Sequence, residues 1–306
     1  YPYVLKTYGY PTRMNFTDGL EKALLHRDQP IITYYGFFIL GHELFTAKVW
    51  GEEPLKRMPQ GWDQTRAKNA IKRLETKRVL TADSDFRSNV WRVTQATRAG
   101  TAEEVACIAD PFSYVSHMSA MQKYGLTDRT PQALHMTTPK RSLWNTLRDA
   151  KVREDLPNVE DIDKPVLNRP GFKDIIRRRP VIVHVSSQPR TPSPVSDEQT
   201  RITSIGQTFA DMLTEPGLCG GIRHVLDVWE KEAEPWVEEI IKAVDQLDSK
   251  IAKVRAGYIL TEVMDIDHPT IHNWEQYAQR GGSRKLDPDA EYAPVFSEKW
   301  MISINV

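Results

Sequence analysis

Across residues 63–77 the apolar and small residues Ala67, Ala70, Ile71 and Leu74 recur at i, i+3, i+4 and i+7. That spacing lays one stripe along a helix, and Asp63 stands where an N-cap acceptor is favoured. The opposite face carries Thr65, Asn69, Lys72, Arg73 and Thr76, flanked by Arg66 and Lys68. Two strand-like runs follow at 79–82 and 89–93, and the polar turn DSDFRS between them predicts a hairpin. Upstream, residues 15–47 read as mostly helical, with a helix start at Thr17-Asp18, and the Gly/Pro-rich stretch 51–61 reads as a loop. Helix, helix and hairpin with a basic exposed helix outline a winged helix-turn-helix in residues 1–100.

Past a short connector the pattern changes. PFSYVSHMSAMQKY, 111–124, predicts a helix that opens with proline and closes at Gly125. LHMTTP and PVIVHVSS, the second rich in β-branched residues, predict strands. The Pro/Ser-rich residues 188–200 predict a mobile loop. From 235 to 257, Val237, Ile240, Val244, Leu247, Ile251, Val254 and Tyr258 alternate spacings of three and four. Such a heptad seam predicts one long helix packed on another helix of this chain or of a partner. The expected fold class is α+β, a winged helix-turn-helix over 1–100 followed by a mixed α/β domain over 101–306.

Composition narrows the function classes. The chain has 306 residues, 40% hydrophobic and 27% charged, as expected of a globular protein with two domains. No run approaches the ~20 apolar residues that span a bilayer; the best, IITYYGFFIL at 31–40, reads as a buried helix. With no secretory signal, and with Cys107 and Cys219 lacking any pair spacing, a reduced, cytoplasmic protein without membrane partners is expected. Net charge is zero but uneven. Residues 1–100 hold 16 Lys/Arg against 10 Asp/Glu, and residues 221–306 hold 10 against 16. A basic head suits a polyanion.

Candidate chemistry is sparse. Ser113, Ser116 and His117 near Asp110 suggest a hydrolase, but adjacent residues on one helix diverge by about 100°. No Gly-x-Ser-x-Gly elbow is present to expose a nucleophile. Asp265, Asp267, His268 and His272 form the one tight group of potential metal ligands, and Pro269 removes a shared helical face. Arg177, Arg178 and Arg179 offer an anion contact but read rather as the cationic end of a helix. RGGSRKLDPD, 280–289, lacks the spacing of a phosphate loop, and Pro288 blocks an immediate helix. It reads as a turn, with Arg280, Arg284 and Lys285 as candidate anion contacts. No catalytic residue, metal site or cofactor is expected.

Four blocks carry a resemblance: PFSYVSHMSAMQKYGLTD, RITSIGQTFADMLTEPGLCGG, KVRAGYILTE and RGGSRKLDPDAEYAPVFSEKWMISINV. Together, and in this order, they resemble the AbiEi-type antitoxin and transcriptional-regulator family of type IV toxin–antitoxin systems, which act in abortive infection and phage defence. The family pattern has an Arg-Thr pair where this chain has Gln207-Thr208. The resemblance implies a C-terminal antitoxin domain after the winged helix, repression of the protein's own operon, and no enzyme chemistry. It also implies antagonism of a nucleotidyltransferase-like toxin, without need of a stable complex.

On this reading Arg66, Lys68, Asn69, Lys72 and Arg73 lie in or along the major groove of promoter DNA, and Arg87 and Arg92 hold the backbone from the wing. A homo-oligomer on DNA is a further expectation. The alternative is a non-catalytic interaction module whose winged helix is a scaffold and whose 235–257 helix is the working surface.

Overall fold

The computed structural model describes residues 14–161, 163–195, 199–279 and 284–306. It mixes α and β and divides into two compact units. The first gathers the chain up to Pro111 together with Arg141–Arg177; the second comprises Phe112–Lys140 and Arg178–Val306. This differs from a single boundary near residue 100, because the chain returns to the first unit between two strands of the second. Each unit has its own apolar core.

In the first unit, helix Phe16–His26 starts at Asn15, whose side chain accepts from the Asp18 amide at 2.9 Å. The stretch expected to be mostly helical, 15–47, holds two helices with a short strand between them. Asp28 adopts a positive φ of 46°, Pro30 follows, and Ile31–Thr33 form a strand. Thr33 then caps a second helix, Tyr34–Ala47, ended by Lys48 in the left-handed region. Proline and β-branched residues favour this break.

The third helix, Gln64–Thr76, is capped by Asp63, and its buried residues are Ala67, Ala70, Ile71 and Leu74, as the periodicity predicts. Strands Leu80–Ala82 and Val90–Val93 pair antiparallel, and Ile31–Thr33 joins the outer side of Val90–Val93. Phe37, Phe38 and Leu74 sit fully buried between helices and sheet. Gly41 is where Trp62 crosses the second helix: a Cβ there would stand 2.0 Å from the indole.

The returning segment Arg141–Arg177 is tied to this unit at several points. Tyr35 donates to Asp155 at 2.8 Å, and Gln64 donates to the Lys164 carbonyl at 3.0 Å. Phe86 in the hairpin turn packs on Phe172. Arg177 and Arg178 do not end a helix; both have positive φ and form a turn. Arg177 pairs with the buried Asp83, at 2.8 Å, and with Asp85.

The second unit is a sheet backed by helices. Its strands run in the order Ser193–Pro194, Arg201–Ile202, Tyr114–Val115, Leu134–Pro139 and Arg179–Ser186. Leu134–Pro139 and Arg179–Ser186 are parallel, with Thr137 opposite His184. The helix expected over 111–124 is shorter: Tyr114–Val115 is a strand, and only His117–Lys123 is helical, before Gly125 at φ +72°.

Helices Ile205–Thr214, Ile222–Glu232, Val237–Asp245 and Lys250–Tyr258 complete this core. The single helix expected over 235–257 is two, because Ser249 caps a new start at Lys250, its hydroxyl accepting from the Ala252 amide at 3.3 Å. Ile240, Val244, Leu247 and Val254 of the seam are buried inside the unit, so they offer no working surface. At Gly206 a Cβ would meet the Glu239 carbonyl at 2.1 Å, which fixes glycine at the closest approach of two helices.

Candidate functional site

The exposed face of helix Gln64–Thr76 is built by its own spacing. With Ala67, Ala70, Ile71 and Leu74 turned inward, the exposed positions are Thr65, Arg66, Lys68, Asn69, Lys72, Arg73 and Thr76. None is acidic. The remaining carboxylate, Glu75, is half-buried, accepts from the Trp91 indole at 2.8 Å, and borders the same cavity as Lys68 and Lys72. Arg66 pairs with the cap Asp63, whose carboxyl is held below its usual range by the Arg66 amide and guanidinium. Lys68 lies over the Tyr34 ring, 6.0 Å from its centre.

A cavity of about 580 Å³ runs along this helix, lined by Tyr34, Lys68, Asn69, Lys72, Trp91 and Val166 among others. The wing residues behave differently from the helix residues. Arg87 is exposed at the hairpin turn, where its amide donates to the Gly171 carbonyl at 3.2 Å. Arg92 is anchored to Asp83 at 3.4 Å. Burial alone would raise the Asp83 carboxyl, but Arg177, the Asp85 amide and Arg92 together hold it down.

The second unit holds a constellation that sequence spacing does not display. Ser116 is an extended cap residue rather than a helical one, and His117 opens the helix at φ +50°. Their side chains therefore meet, with Ser116 Oγ 2.9 Å from His117 Nδ1, contrary to the divergence expected of two helical neighbours. His117 Nε2 lies 3.0 Å from Glu215, and Ser116 Oγ is 2.8 Å from Thr137 Oγ1. His135 Nδ1 and His184 Nε2 lie 3.0 Å apart with nearly parallel rings, and the His117 and His184 ring centres are 4.6 Å apart.

This cluster borders a cavity of about 470 Å³ lined by His117, Thr137, His184, Arg190, Asp211 and Glu215 among others. Burial, then the charges of His184 and His117, push His135 down to about 4. Burial lifts Asp211 to about 6, and the His117 hydrogen bond holds Glu215 below its usual value. The Ser116 oxygen does not reach this cavity: the residue is fully buried and commits its hydroxyl to His117 and Thr137. Ser113 is likewise buried. Asp110 accepts from the Trp144 indole at 3.0 Å, in the first unit.

Among the described residues no group of three or more His, Cys, Asp or Glu is arranged to hold a metal ion. Of the sequence-predicted ligands, His272 pairs with Asp267 at 2.7 Å, while His268 caps a short helix by accepting from the Thr270 amide. Arg280 lies outside the described residues. Lys285 donates to the Ala290 carbonyl at 2.7 Å, and the Arg284 carbonyl accepts from the Ser303 amide. No described helix is long and apolar enough to cross a membrane.

No family model and no curated protein matches the chain. Among solved structures it is similar to the crystal structure of the RV2827C protein from Mycobacterium tuberculosis, at 12% identity over 98% of this chain and 94% of that one, with a TM-score of 0.46. A likeness this distant bears on neither activity nor partners.

Proposed function

We propose that the first unit is a winged helix-turn-helix module that binds duplex DNA, with Gln64–Thr76 as the recognition helix. The observation that carries this reading is the exposed face of that helix, where four cations and Asn69 stand with no acidic residue among them. Lys and Arg supply phosphate contacts, and Asn and Arg present the donors and acceptors that read base edges. The element order supports it: helix, strand, helix, a short strand pair (Val49–Trp50 with Glu53–Pro54), helix and hairpin, with the strand Ile31–Thr33 paired to Val90–Val93. In such a module the third helix enters the groove and the hairpin lies against the backbone. Arg87 at the hairpin tip is a backbone contact; Arg92, tied to Asp83, is a weaker one.

The second unit is read, from its resemblance to AbiEi-type proteins, as the antitoxin part of a regulator that represses its own operon and opposes a nucleotidyltransferase-like toxin. It is assigned no catalysis: the serine–histidine–glutamate row among its described residues keeps the hydroxyl sealed from the neighbouring cavity. The test is a mobility shift with the protein's own promoter fragment. Lys72→Ala/Arg73→Ala is expected to weaken binding at least about tenfold, because two cations leave the face. Unchanged binding removes Gln64–Thr76 as the contact surface.

A further inference from the structure

The cavity beside helix Gln64–Thr76 is more than a cationic surface. It encloses about 580 Å³, within the ~300–1,000 Å³ typical of sites that hold small molecules. Bonds within the first unit fix its walls. The Tyr34 hydroxyl donates to the Gln64 carbonyl at 3.3 Å, and the Trp91 indole donates to Glu75 at 2.8 Å. Gln64 Nε2 donates to the Lys164 carbonyl at 3.0 Å, which ties the segment carrying Val166 and Asn168 beside the helix. Tyr34 and Ile71 are buried, and with Trp91 and the 56% exposed Val166 they give the cavity an apolar side.

Its polar side is uncommitted. Asn69, Asn89 and Asn168 line the cavity, and their side-chain amides form no hydrogen bond within the described residues. Each carboxamide can donate and accept at once. Lys68 and Lys72 border the same space. Lys68 is held over the Tyr34 ring at 6.0 Å, and neither ammonium has an ion pair among the described residues. Glu75 is the one carboxylate in the lining, and the Trp91 indole occupies one of its oxygens.

An occupant that satisfies this lining has a flat apolar body, hydrogen-bonding edges and a compact anionic group. A nucleotide has all three: a base whose faces suit aromatic walls and whose edges pair with carboxamides, and a phosphate suited to lysine. Inorganic phosphate would leave the apolar side and the three amides unmet. A neutral apolar molecule would leave the ammonium groups unmet.

We propose that this cavity binds a free nucleoside monophosphate, its base against Tyr34, Trp91 and Val166 and its phosphate on Lys68 and Lys72. Lys68, Asn69 and Lys72 are also the DNA contacts proposed above, so the occupied cavity withholds them from the duplex. The nucleotide is thereby an effector that releases the promoter. Binding is a property of the cavity alone; the release rests on the duplex-binding reading.

The test is calorimetric titration of the full chain with each ribonucleoside 5′-monophosphate, then a mobility shift of the promoter duplex with and without the tightest of them. At least one should saturate a single site per chain. At about ten times its dissociation constant it should raise the apparent dissociation constant of the duplex about tenfold. Asn168→Leu removes one amide without touching a DNA contact, and should weaken the nucleotide about five- to tenfold while leaving duplex affinity at the parent value. Val166→Trp fills the space and should weaken the nucleotide at least as much. Both positions are exposed, so both variants keep the fold. If no monophosphate binds, or if both variants bind it as the parent does, the site is overturned, even where the duplex binds normally. If the monophosphate binds and the variants weaken it but the duplex is not displaced, the effector role is overturned and the site stands. A parent chain that binds the monophosphate but no duplex supports the site and overturns the DNA reading together with the release.

Discussion

On helix Gln64–Thr76 the polar residues point outward and make few bonds with one another. Around His117, six polar groups from four segments gather and bond among themselves: Ser116, His117, His135, Thr137, His184 and Glu215. The contrast teaches what each arrangement can do. An outward array of flexible cations is easily held and suits a ligand that brings its own charges in a regular row, as a duplex backbone does. A cluster that bonds among its own members ties its segments together, so its first consequence is for the stability of its own unit. The first unit shows the same logic at one point: Arg177 and Asp83 are mutually buried beneath the hairpin, and neither is free to meet a ligand.

Removing one partner of that buried pair should give the largest loss. Arg177→Ala leaves the Asp83 carboxylate, fully shielded from solvent, with the Asp85 amide at 3.0 Å and the longer 3.4 Å contact of Arg92. A cost of up to about 3 kcal/mol is expected for a buried charge that loses its main partner. Hydrogen exchange should report it at the amides of Leu80–Ala82 and Val90–Val93 in the first unit, leaving Leu134–Pro139 in the second protected. Equal loss of protection in both strand sets would mean that the units do not differ in this way.

The histidine cluster should be the pH-sensitive part. His135 is neutral in the fold, with its value pushed down to about 4 from 6.5. Between these values the unfolded chain binds the extra proton, so this contribution is complete above about pH 6.5 and is lost as pH falls toward 4. Asp211, lifted to about 6, acts in the opposite sense: its protonated form suits the fold, so its share is lost as pH rises from 3.8 toward 6. Substituting His135→Gln isolates the first effect. Between pH 7 and pH 5 the variant should lose about 2 kcal/mol less stability than the parent, measured by urea unfolding. Parallel pH curves would refute the histidine assignment.

A smaller effect sharpens the outward side. Asp63→Ala removes the cap of Gln64–Thr76 and the partner of Arg66. A loss of about 1 kcal/mol is expected. At the same time a cation is released from its carboxylate, so affinity for DNA at low salt should hold or rise while the melting temperature falls. A fall in both would show that the cap's main role is to position the face.

How much of this was legible in the sequence follows from how local each feature is. Asp63 and the stripe Ala67, Ala70, Ile71 and Leu74 lie within four turns of one helix, and the structure keeps that element almost residue for residue. The hairpin was equally local. Long-range pairing defeats the same reasoning. Pro111 looks like a helix start, but Tyr114 and Val115 are drawn into the sheet by Thr137, Met136 and Ile202. The heptad seam runs unbroken through 246–249, although Ser249 starts a separate helix there. The return of Arg141–Arg177 to the first unit depends on contacts such as Tyr35 with Asp155, 120 positions apart. The histidine cluster brings His117, His135, His184 and Glu215 together at spacings with no motif; the one signal was a histidine in each of two predicted strands, His135 and His184, which the structure pairs.

The central claim is that the first unit meets DNA through phosphate contacts from an outward cationic face. The most direct measurement is the affinity of the full chain for its promoter duplex over a series of salt concentrations. With about four phosphates neutralised, log affinity should fall against log salt with a slope near −4. A slope near zero, or no measurable binding at low salt, would contradict it.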